Sequence, residues 1–541
     1  MTIAHLPADA LDLRDRDAIF DALGGELFDL AVIGGGITGA GIARDAALRG
    51  LTVALVEARD FASGTSSRSS KMIHGGLRYL AQGDLNLVRE AASERKAVEA
   101  IAPHLTRLTP FVMPVRNAAA EARLRAGLWT FEKLGEVPKD RRHEVWNRAE
   151  LAAREPAIDG SDATGAVVYP EYLTDDARLT LANIRDAAGA GARVANYARV
   201  EGIVLEDGRA TGLDVADALP GGEARRVRVR ARIIVNASGP WVDAIRLLES
   251  AGAPGRLALA RGVHLVVPRD ALPVNRTVIM SAADRRSVFA VPKGAVTYIG
   301  TTDTFHPQAE AWPPVTPDDV DYLLSAAGAR FASPRLTVDE IVAVWSGVRP
   351  LVAQAGKSAS DISRKDELWT GPGGILSIAG GKLTAYRRMA ERVADEVETA
   401  LGRKPSACVT AERPLPGGDA APAALRADLA GQGRTEMAAE RLVGLYGSEA
   451  LAIAKAGADT AAEASRAVLV EGALRLEDYW ARRSARAWFD PDAGMGALDA
   501  AAGAMAPLLE WSSERRAEEI AICRAQHHRD MAGLRAAPAA A

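Results

Sequence analysis

The 541-residue sequence predicts an α/β protein in three parts: a parallel α/β domain, an antiparallel sheet and a C-terminal α-helical domain. Three features indicate this class. An apolar segment at 28–33 is followed by a glycine-rich turn and a helical pattern, as in a βαβ unit. β-Branched runs separated by turns fill 263–345, which is typical of antiparallel strands. Beyond residue 423 the chain is rich in Ala, Arg and Glu at helical spacing.

The composition and charge narrow the classes of partner. Lys and Arg total 66 and Asp and Glu total 70, so the net charge of −4 gives no overall attraction to nucleic acid. The two cysteines are too few for a disulfide framework or a zinc site, and the histidines show no metal-ligand spacing, so we expect no metal and a cytoplasmic location. Neither a signal peptide nor a transmembrane run of about 18 apolar residues is predicted, which leaves attachment to a membrane surface open.

The secondary structure follows from local patterns. Strands are predicted at 28–33 and 51–56, because both segments are short and apolar. Helices are predicted at 15–23, 38–49, 84–102 and 382–399, from apolar positions at helical spacing. The resulting domain boundaries are a tail at 1–27, the α/β domain at 28–262 and 346–413, the antiparallel substrate-domain sheet at 263–345, a linker at 414–422 and the helical domain at 423–541.

The turn after the first strand carries the pattern G-x-G-x-x-G at Gly34, Gly36 and Gly39. In this pattern the glycines permit a tight turn, close approach of the backbone to a pyrophosphate, and close packing of helix on strand. Glu57 ends the second strand 23 residues after Gly34, where a carboxylate accepts hydrogen bonds from ribose hydroxyls. The context predicts a Rossmann-like dinucleotide site, but the turn alone does not decide between FAD and NAD.

Longer motifs extend well beyond this turn. Those in the first half of the chain are VIGGGITGAGIARDA at 32–46, TSSRSSKMIHGGLRYL at 65–80, DDARL at 175–179 and VNASGPWV at 235–242. Those that follow are RGVHLVVP at 261–268, GTTD at 300–303, WSGVRP at 345–350 and GGKLTAYR at 380–387. In this order the motifs resemble the aerobic, FAD-dependent glycerol-3-phosphate dehydrogenases, over about 28–418.

The resemblance implies an activity and a set of partners. sn-Glycerol 3-phosphate would be oxidised to dihydroxyacetone phosphate, with the C2 hydride passing to non-covalent FAD and the electrons to a membrane quinone. It also implies peripheral attachment to the inner face of the cytoplasmic membrane. No nucleic-acid partner is expected, and a homodimer is the assembly considered.

The substrate requires fixed cations, a proton acceptor and an electron sink. Arginine suits the phosphate because its planar fork donates paired hydrogen bonds. Arg78 and Arg364 are therefore predicted to bind the substrate. Tyr79, next to Arg78 in the same motif, is predicted to bind it as well. Arg349 and Lys382 are predicted to bind phosphate or to stabilise the developing alkoxide.

His264 is the predicted proton acceptor. A histidine inside an apolar run is by itself more often a core residue, and only its match to the active-site strand of the family favours catalysis. With an ordinary pKa of ~6.5, a histidine can take an alcohol proton near neutral pH.

Cofactor-binding residues are predicted around the glycine turn, in the polar loop after the second strand, and at the Gly-Gly turn before the last helix of the α/β domain. Helix capping is the role expected for Asp175 and Asp176. The predicted cofactor-binding residues are Gly34, Gly35, Gly36, Thr38, Gly39, Glu57, Thr65, Ser66, Ser69, Ser70, Lys71, Ile73, His74, Val200, Ser238, Gly239, Gly380, Gly381, Lys382, Leu383 and Thr384.

Three other functions stay open at this point. A glycerol-3-phosphate oxidase would pass the electrons to oxygen, and the sequence does not separate it from a dehydrogenase. An FAD-dependent amine or amino-acid oxidase would need one arginine for a carboxylate, whereas several cations favour a phosphate. A non-catalytic flavin-binding regulator would use 423–541 to bind a partner.

Overall fold

The computed structural model describes residues 6–75, 85–222, 224–332, 336–354, 356–359, 362–363, 365–457 and 459–535, without the side chain of residue 86. Strands β1–β18 and helices α1–α16 are numbered along the chain. Over the described residues, no helix is both long enough and apolar enough to cross a bilayer.

The first sheet carries the dinucleotide turn. It has the order β17-β18-β10-β1-β2-β7, with the β8–β9 hairpin added antiparallel to β10. Within it, β1 lies parallel to both β2 and β10, as the predicted βαβ unit requires. Its strands are β1 Leu27–Ile33, β2 Val53–Val56, β7 Arg193–Ala195, β8 Ala198–Glu206, β9 Arg209–Asp217, β10 Arg226–Asn236, β17 Glu367–Thr370 and β18 Leu376–Ala379.

The second sheet is mostly antiparallel and has the order β15-β11-β14-β13-β12-β4-β6-β3, with β16 paired to β11 and β5 to β6. It is larger than the range predicted at 263–345, because strands from 72–174 join it through the parallel β12–β4 pair. Its strands are β3 Met72–Ile73, β4 Thr106–Val115, β5 Glu144–Asn147, β6 Gly165–Thr174, β11 Leu257–Pro268, β12 Thr277–Ser281, β13 Ser287–Lys293, β14 Val296–Gly300, β15 Thr304–Phe305 and β16 Ala343–Val352.

Helices cover the first sheet, edge the second and form the C-terminal part of the chain. The first ten are α1 Arg16–Gly25, α2 Ile37–Leu48, α3 Leu85–Ile101, α4 Ala118–Leu134, α5 Arg148–Arg154, α6 Asp176–Gly189, α7 Val242–Glu249, α8 Pro317–Gly328, α9 Tyr386–Ala400 and α10 Pro422–Gly431. The remainder are α11 Glu436–Tyr446, α12 Ala450–Lys455, α13 Thr460–Glu471, α14 Arg486–Phe489, α15 Leu498–Met505 and α16 Ser513–Ala532.

The predicted elements around the dinucleotide turn are confirmed within a few residues. The helix predicted at 382–399 begins later, because a short 3-10 turn at Leu383–Ala385 precedes α9. That turn leaves the backbone after Gly380 and Gly381 free to face the cavity described below.

The C-terminal helices are fixed to both sheets. The indole rings of Trp345 on β16 and Trp488 on α14 lie 5.9 Å apart in a shared apolar core. Asp60, in the loop after β2, is buried and pairs with Arg483 and with Arg482 at 2.6 Å. Breaking such buried ion pairs is costly, so the C-terminal part is locked onto the α/β domain.

Candidate active site

The glycine turn has the backbone that its pattern predicts. Gly34 has φ of 111°, and a β-carbon there would lie 2.7 Å from the carbonyl oxygen of Ala237. A β-carbon on Gly39 would lie 1.9 Å from the carbonyl oxygen of Gly34. Gly36 is the N-cap of α2 and supplies no side chain, and the hydroxyl of Ser66 accepts from the N–H of Ile37 at 2.9 Å, so the helix end faces the cavity partly capped. These features fit a bound pyrophosphate.

Glu57 closes the other side of this turn. Its carboxylate accepts hydrogen bonds from the backbone N–H groups of Gly35 at 2.7 Å and Arg59 at 2.9 Å. Burial raises the pKa of Glu57, and these two bonds act in the opposite direction. The carboxylate lines the cavity beside the turn, as a ribose-binding residue should.

A cavity of about 1220 Å³ runs from this turn to the second sheet. Its walls include β1, the loop after β2, the turn after β10, and strands β4, β6, β12, β13 and β16. This volume exceeds the usual range for small-molecule pockets, which fits a dinucleotide together with a small substrate. The cavity is therefore the candidate active site.

The polar loop at 63–71 is anchored beneath the cavity by one buried carboxylate. Asp176 accepts hydrogen bonds from the backbone N–H and the hydroxyl of Ser69 at 3.0 and 2.6 Å, and from Lys71 Nζ at 2.6 Å. Asp175 is the N-cap of α6, as predicted, and accepts from the N–H of Arg178. Asp176, in the first turn of α6, also accepts from the N–H of Ala177 at 3.0 Å, so its carboxylate contributes to the helix start, as predicted, and in addition anchors the loop.

Arg349 is held at the substrate-sheet end of the cavity. Its guanidinium donates to the carboxylate of Asp303 at 3.0 Å, to the carbonyl of Thr302 at 3.2 Å and to the hydroxyl of Thr301 at 3.1 Å. Gly262 on β11 lies directly under it, since a β-carbon there would be 2.2 Å from the guanidinium. The geometry holds the planar fork in one orientation at the cavity wall.

His264 lies one layer behind the cavity wall. It is 1% exposed and stacks on Trp345 with ring centroids 4.6 Å apart. Its Nε2 atom lies 2.9 Å from the hydroxyl oxygen of Ser70, which does line the cavity. Burial, with Arg349 and Lys71 nearby, holds the pKa of His264 well below its usual range, so the ring is neutral near neutral pH.

Lys382 and His74 line another part of the cavity wall, beside the turn that precedes α9. Lys382 follows the Gly380–Gly381 turn, and both glycines have positive φ, at 81° and 77°. Burial, and then the charges of Lys382 and Arg95, lower the pKa of His74 to about 3. His74 is therefore neutral at the cavity wall.

The structure brings most of the predicted residues to one cavity. The predicted residues that line it are Gly34, Gly36, Thr38, Glu57, Thr65, Ser66, Ser69, Ser70, His74, Val200, Ser238, Gly239, Arg349, Gly380, Gly381, Lys382, Leu383 and Thr384. Gly35, Gly39, Lys71, Ile73 and His264 lie behind its surface. Lys71 in particular is turned away, because its ammonium group pairs with Asp176. Arg78, Tyr79 and Arg364 lie outside the described residues.

Sequence reasoning missed the β12–β13 turn and a carboxylate on β6. Arg285 and Arg286 line the cavity there, and Arg286 donates to the carbonyl of Asp303 at 3.0 Å, on the segment that holds Arg349. Glu171 lines the cavity too, and it accepts from the N–H of Gly75 at 3.0 Å and from Arg95 at 2.7 Å. Neither segment carries a motif. The one signal in the sequence was the alternation of side chains along the strands, which places every second residue on the face that forms the cavity wall.

Comparison with known proteins decides which family these features represent. The family model described as "FAD dependent oxidoreductase" matches residues 29–387, and the one described as "C-terminal domain of alpha-glycerophosphate oxidase" matches 408–516. An aerobic glycerol-3-phosphate dehydrogenase of Staphylococcus aureus (strain USA300) is 37% identical, covering 96% of this chain and 98% of the relative. The chain belongs to the aerobic glycerol-3-phosphate dehydrogenase family.

Solved structures agree with this family and give its architecture. The glycerol-3-phosphate dehydrogenase from Bacillus halodurans, complexed with FAD, matches 97% of this chain and 100% of its own with 31% identity and a TM-score of 0.81. The L-alpha-glycerophosphate oxidase from Mycoplasma pneumoniae shares the fold at 17% identity and a TM-score of 0.54, over 72% of this chain and 98% of its own. The protein is an FAD-dependent oxidoreductase, and the prediction of FAD over NAD is confirmed.

Proposed function

We propose that this member of the glycerol-3-phosphate dehydrogenase family oxidises sn-glycerol 3-phosphate to dihydroxyacetone phosphate. The observation that carries the proposal is the convergence of Arg349 on β16 and Lys382 before α9 on the cavity that also contains the glycine turn. Two fixed cations from distant segments suit a phosphorylated alcohol better than a neutral one. Bound FAD supplies the electron sink, accepting the hydrogen of the alcohol carbon together with two electrons.

The glycine turn and Glu57 are the residues that hold the pyrophosphate and ribose in this proposal. Gly381 supplies a backbone N–H group near the start of α9, whereas the N–H of Gly380 donates to the carbonyl of Pro350 at 3.1 Å. These assignments rest on the shape of the turn, the helix end that faces the cavity and the position of the carboxylate at the cavity wall.

The alcohol proton is proposed to leave through Ser70 to His264. Ser70 lines the cavity, and its hydroxyl donates to Nε2 of His264 when that nitrogen is unprotonated. The imidazole, held between Trp345 and Gly300, keeps Nε2 unprotonated and able to accept a proton, although its lowered pKa makes it a weaker base than an ordinary histidine. Arg349 or Lys382 then stabilises the negative charge that develops on the alcohol oxygen.

The electron acceptor is proposed to be a membrane quinone, with the protein attached to the inner face of the cytoplasmic membrane. The family membership supports this proposal, and a homodimer stays a prediction. The match of 408–516 to the C-terminal domain of a glycerophosphate oxidase makes oxygen the second candidate acceptor. Hydrogen peroxide yield measured beside quinone reduction separates the two.

One experiment tests the substrate. Purified protein is mixed anaerobically with glycerol 3-phosphate or with glycerol, and the visible flavin absorbance is followed. We expect rapid bleaching by the phosphorylated alcohol and a much slower reaction with glycerol. Flavin that stays oxidised with glycerol 3-phosphate would overturn the proposal.

A further inference from the structure

Helix α4, Ala118–Leu134, lies on the outside of the molecule and carries an exposed tryptophan. Trp129 is 59% exposed, and the Nζ atom of Lys133 lies 5.8 Å from the centre of its ring. Ala126 and Ala122 are exposed on the same face, one and two turns before Trp129. Tryptophan is the side chain most favoured where an apolar phase meets water.

The same surface is locally basic on a chain whose net charge is −4. Between 116 and 142 six basic side chains are exposed against two acidic ones, Glu136 and Asp140. Arg116 and Arg125 pair with Asp162 and Glu121. The exposed basic residues are Arg116, Arg123, Arg125, Lys133, Lys139 and Arg142.

Several of these charges are uncompensated within the described part of the chain. Arg123, Lys133 and Lys139 make no ion pair with any described carboxylate, so their charge faces solvent. An amphipathic helix with basic side chains around an aromatic one binds anionic lipid headgroups, because burial of the ring and electrostatic attraction add together.

The inner face of α4 connects this surface to the active site. The ring of Phe131 packs so closely on Gly75 that a β-carbon there would lie 2.3 Å from its Cζ atom. Gly75 follows His74, which lines the cavity, and Arg95 stacks 5.2 Å from the centre of the Phe131 ring. One helix therefore presents Trp129 outward while its inner side supports the cavity wall.

We propose that the outer face of α4 is the surface by which this protein contacts an anionic bilayer. The inference rests on the proposed quinone-linked function, because an acceptor dissolved in lipid must be reached from the membrane side. It names Trp129, Arg123 and Lys133 as the contact residues. The ring enters the headgroup region and the two cations pair with lipid phosphates.

The test uses the full-length, FAD-loaded protein and flotation with vesicles of phosphatidylglycerol mixed with phosphatidylcholine. Trp129→Ser and the double variant Arg123→Glu/Lys133→Glu should each reduce vesicle binding, the double variant by about 25-fold or more, since each of its two basic side chains contributes about fivefold. Vesicles of phosphatidylcholine alone should bind the wild-type protein weakly.

Matched controls come from the far side of the second sheet and from the β8–β9 hairpin. Phe305 is 56% exposed on β15, so Phe305→Ser removes an exposed aromatic ring elsewhere, and Arg209→Glu reverses an exposed charge elsewhere. Both should bind vesicles as the wild type does. Equal binding by the α4 variants and the wild type, or no binding by the wild type, would overturn the inference.

Flavin bleaching by glycerol 3-phosphate in the same preparations separates this inference from the proposed function. Variants of α4 that bleach normally but float poorly support the surface. A wild-type protein that floats but does not bleach would contradict the proposed function alone. Loss of both flotation and bleaching in an α4 variant, together with a lowered Tm, would mean that the variant misfolds. In that case Trp129→Phe, which keeps an aromatic ring, is the deciding variant. It should retain flotation if the surface is correct.

Discussion

The Nε2 atom of His264 lies 2.9 Å from the hydroxyl oxygen of Ser70, and only Ser70 of the two lines the cavity. The histidine is wedged between Trp345 on β16 and Gly300 on β14, its registered neighbours across the sheet. A β-carbon on Gly300 would lie 2.0 Å from the imidazole, so the ring occupies space that only glycine leaves open. In the proposed mechanism, this arrangement places the proton acceptor one hydroxyl away from the substrate.

Removing either member of this pair should slow the reductive half-reaction. We expect His264→Asn to slow anaerobic flavin reduction by about 10²–10⁴-fold, because general-base catalysis is lost. Ser70→Ala should slow it in the same direction, because the hydroxyl that connects the imidazole to the substrate is gone. Stopped-flow measurement of flavin bleaching gives both rates.

Tyr298→Phe is the matched control for this pair. The phenol of Tyr298 donates to the backbone carbonyl of Ser70 and its ring contacts His264 edge-on, yet it does not bond Nε2. This variant should reduce its flavin at nearly the wild-type rate. If Ser70→Ala is as fast as Tyr298→Phe, the proton does not pass through Ser70.

Arg349→Lys should impair recognition of the phosphorylated substrate although the charge is kept. The guanidinium uses its fork to bond Asp303, Thr302 and Thr301, and an ammonium group cannot reproduce this geometry. We expect kcat/KM for glycerol 3-phosphate to fall about 10²-fold or more. Steady-state kinetics with an artificial acceptor measures it.

Turnover of unphosphorylated glycerol distinguishes the two proposed roles of Arg349, phosphate binding and stabilisation of the alkoxide. If the guanidinium binds the phosphate, the slow turnover of glycerol should be unchanged by Arg349→Lys. A proportional loss with glycerol would instead assign the guanidinium to the alkoxide.

Gly39→Ala should abolish FAD binding and destabilise the fold. The new β-carbon would overlap the carbonyl oxygen of Gly34, so the helix must move away from β1, which costs about 1–3 kcal/mol or more. Visible flavin absorbance per protein and the Tm report the two effects. Gly25→Ala, where a β-carbon meets nothing within 4 Å, should keep both at wild-type values.

Asp176→Asn should destabilise the protein by about 3–5 kcal/mol, because it leaves the buried Lys71 ammonium without its carboxylate. Urea unfolding measures the loss. Adding Lys71→Met should recover part of it, since the uncompensated charge is then removed. Glu201→Gln, in an exposed pair with Arg199, should unfold as the wild type does, and an equal loss there would contradict the role of burial.

The buried pair of Glu471 and Arg178 should make the free energy of unfolding decrease at acid pH. Burial alone would raise the pKa of Glu471, but its two bonds to Arg178, at 2.7 and 2.8 Å, lower it to about 2. Because the folded pKa lies below the ordinary value of ~4.5, the carboxylate contributes about 3 kcal/mol above that pH. This contribution is lost as pH falls from there to about 2.

Glu471→Gln tests this assignment against the acid sensitivity of the whole protein. The free energy of unfolding of the variant should be lower than that of the wild type at neutral pH. The difference should shrink as the pH is lowered, because the wild type then protonates the same group. A difference that is independent of pH would mean that Glu471 titrates at its ordinary value.

The local parts of the fold and site were predictable because they depend on neighbouring residues. The pattern at Gly34, Gly36 and Gly39 requires a tight turn before a helix, and the structure has it. Glu57 follows a four-residue apolar strand whose length sets its distance from the turn. The long motifs added the family, and with it FAD and the positions of Arg349 and Lys382.

Tertiary structure alone decided which side chains reach the cavity. Lys71 and Ser70 are adjacent in a single motif, yet Ser70 lines the cavity while Lys71 turns inward to Asp176, which is distant along the chain. Arg286 lies outside every motif, and a hairpin turn brings it to the carbonyl of Asp303, the residue that pairs with Arg349. Local sequence fixes turns and caps through neighbouring atoms, whereas the direction of a long charged side chain depends on which distant partner compensates its charge after burial.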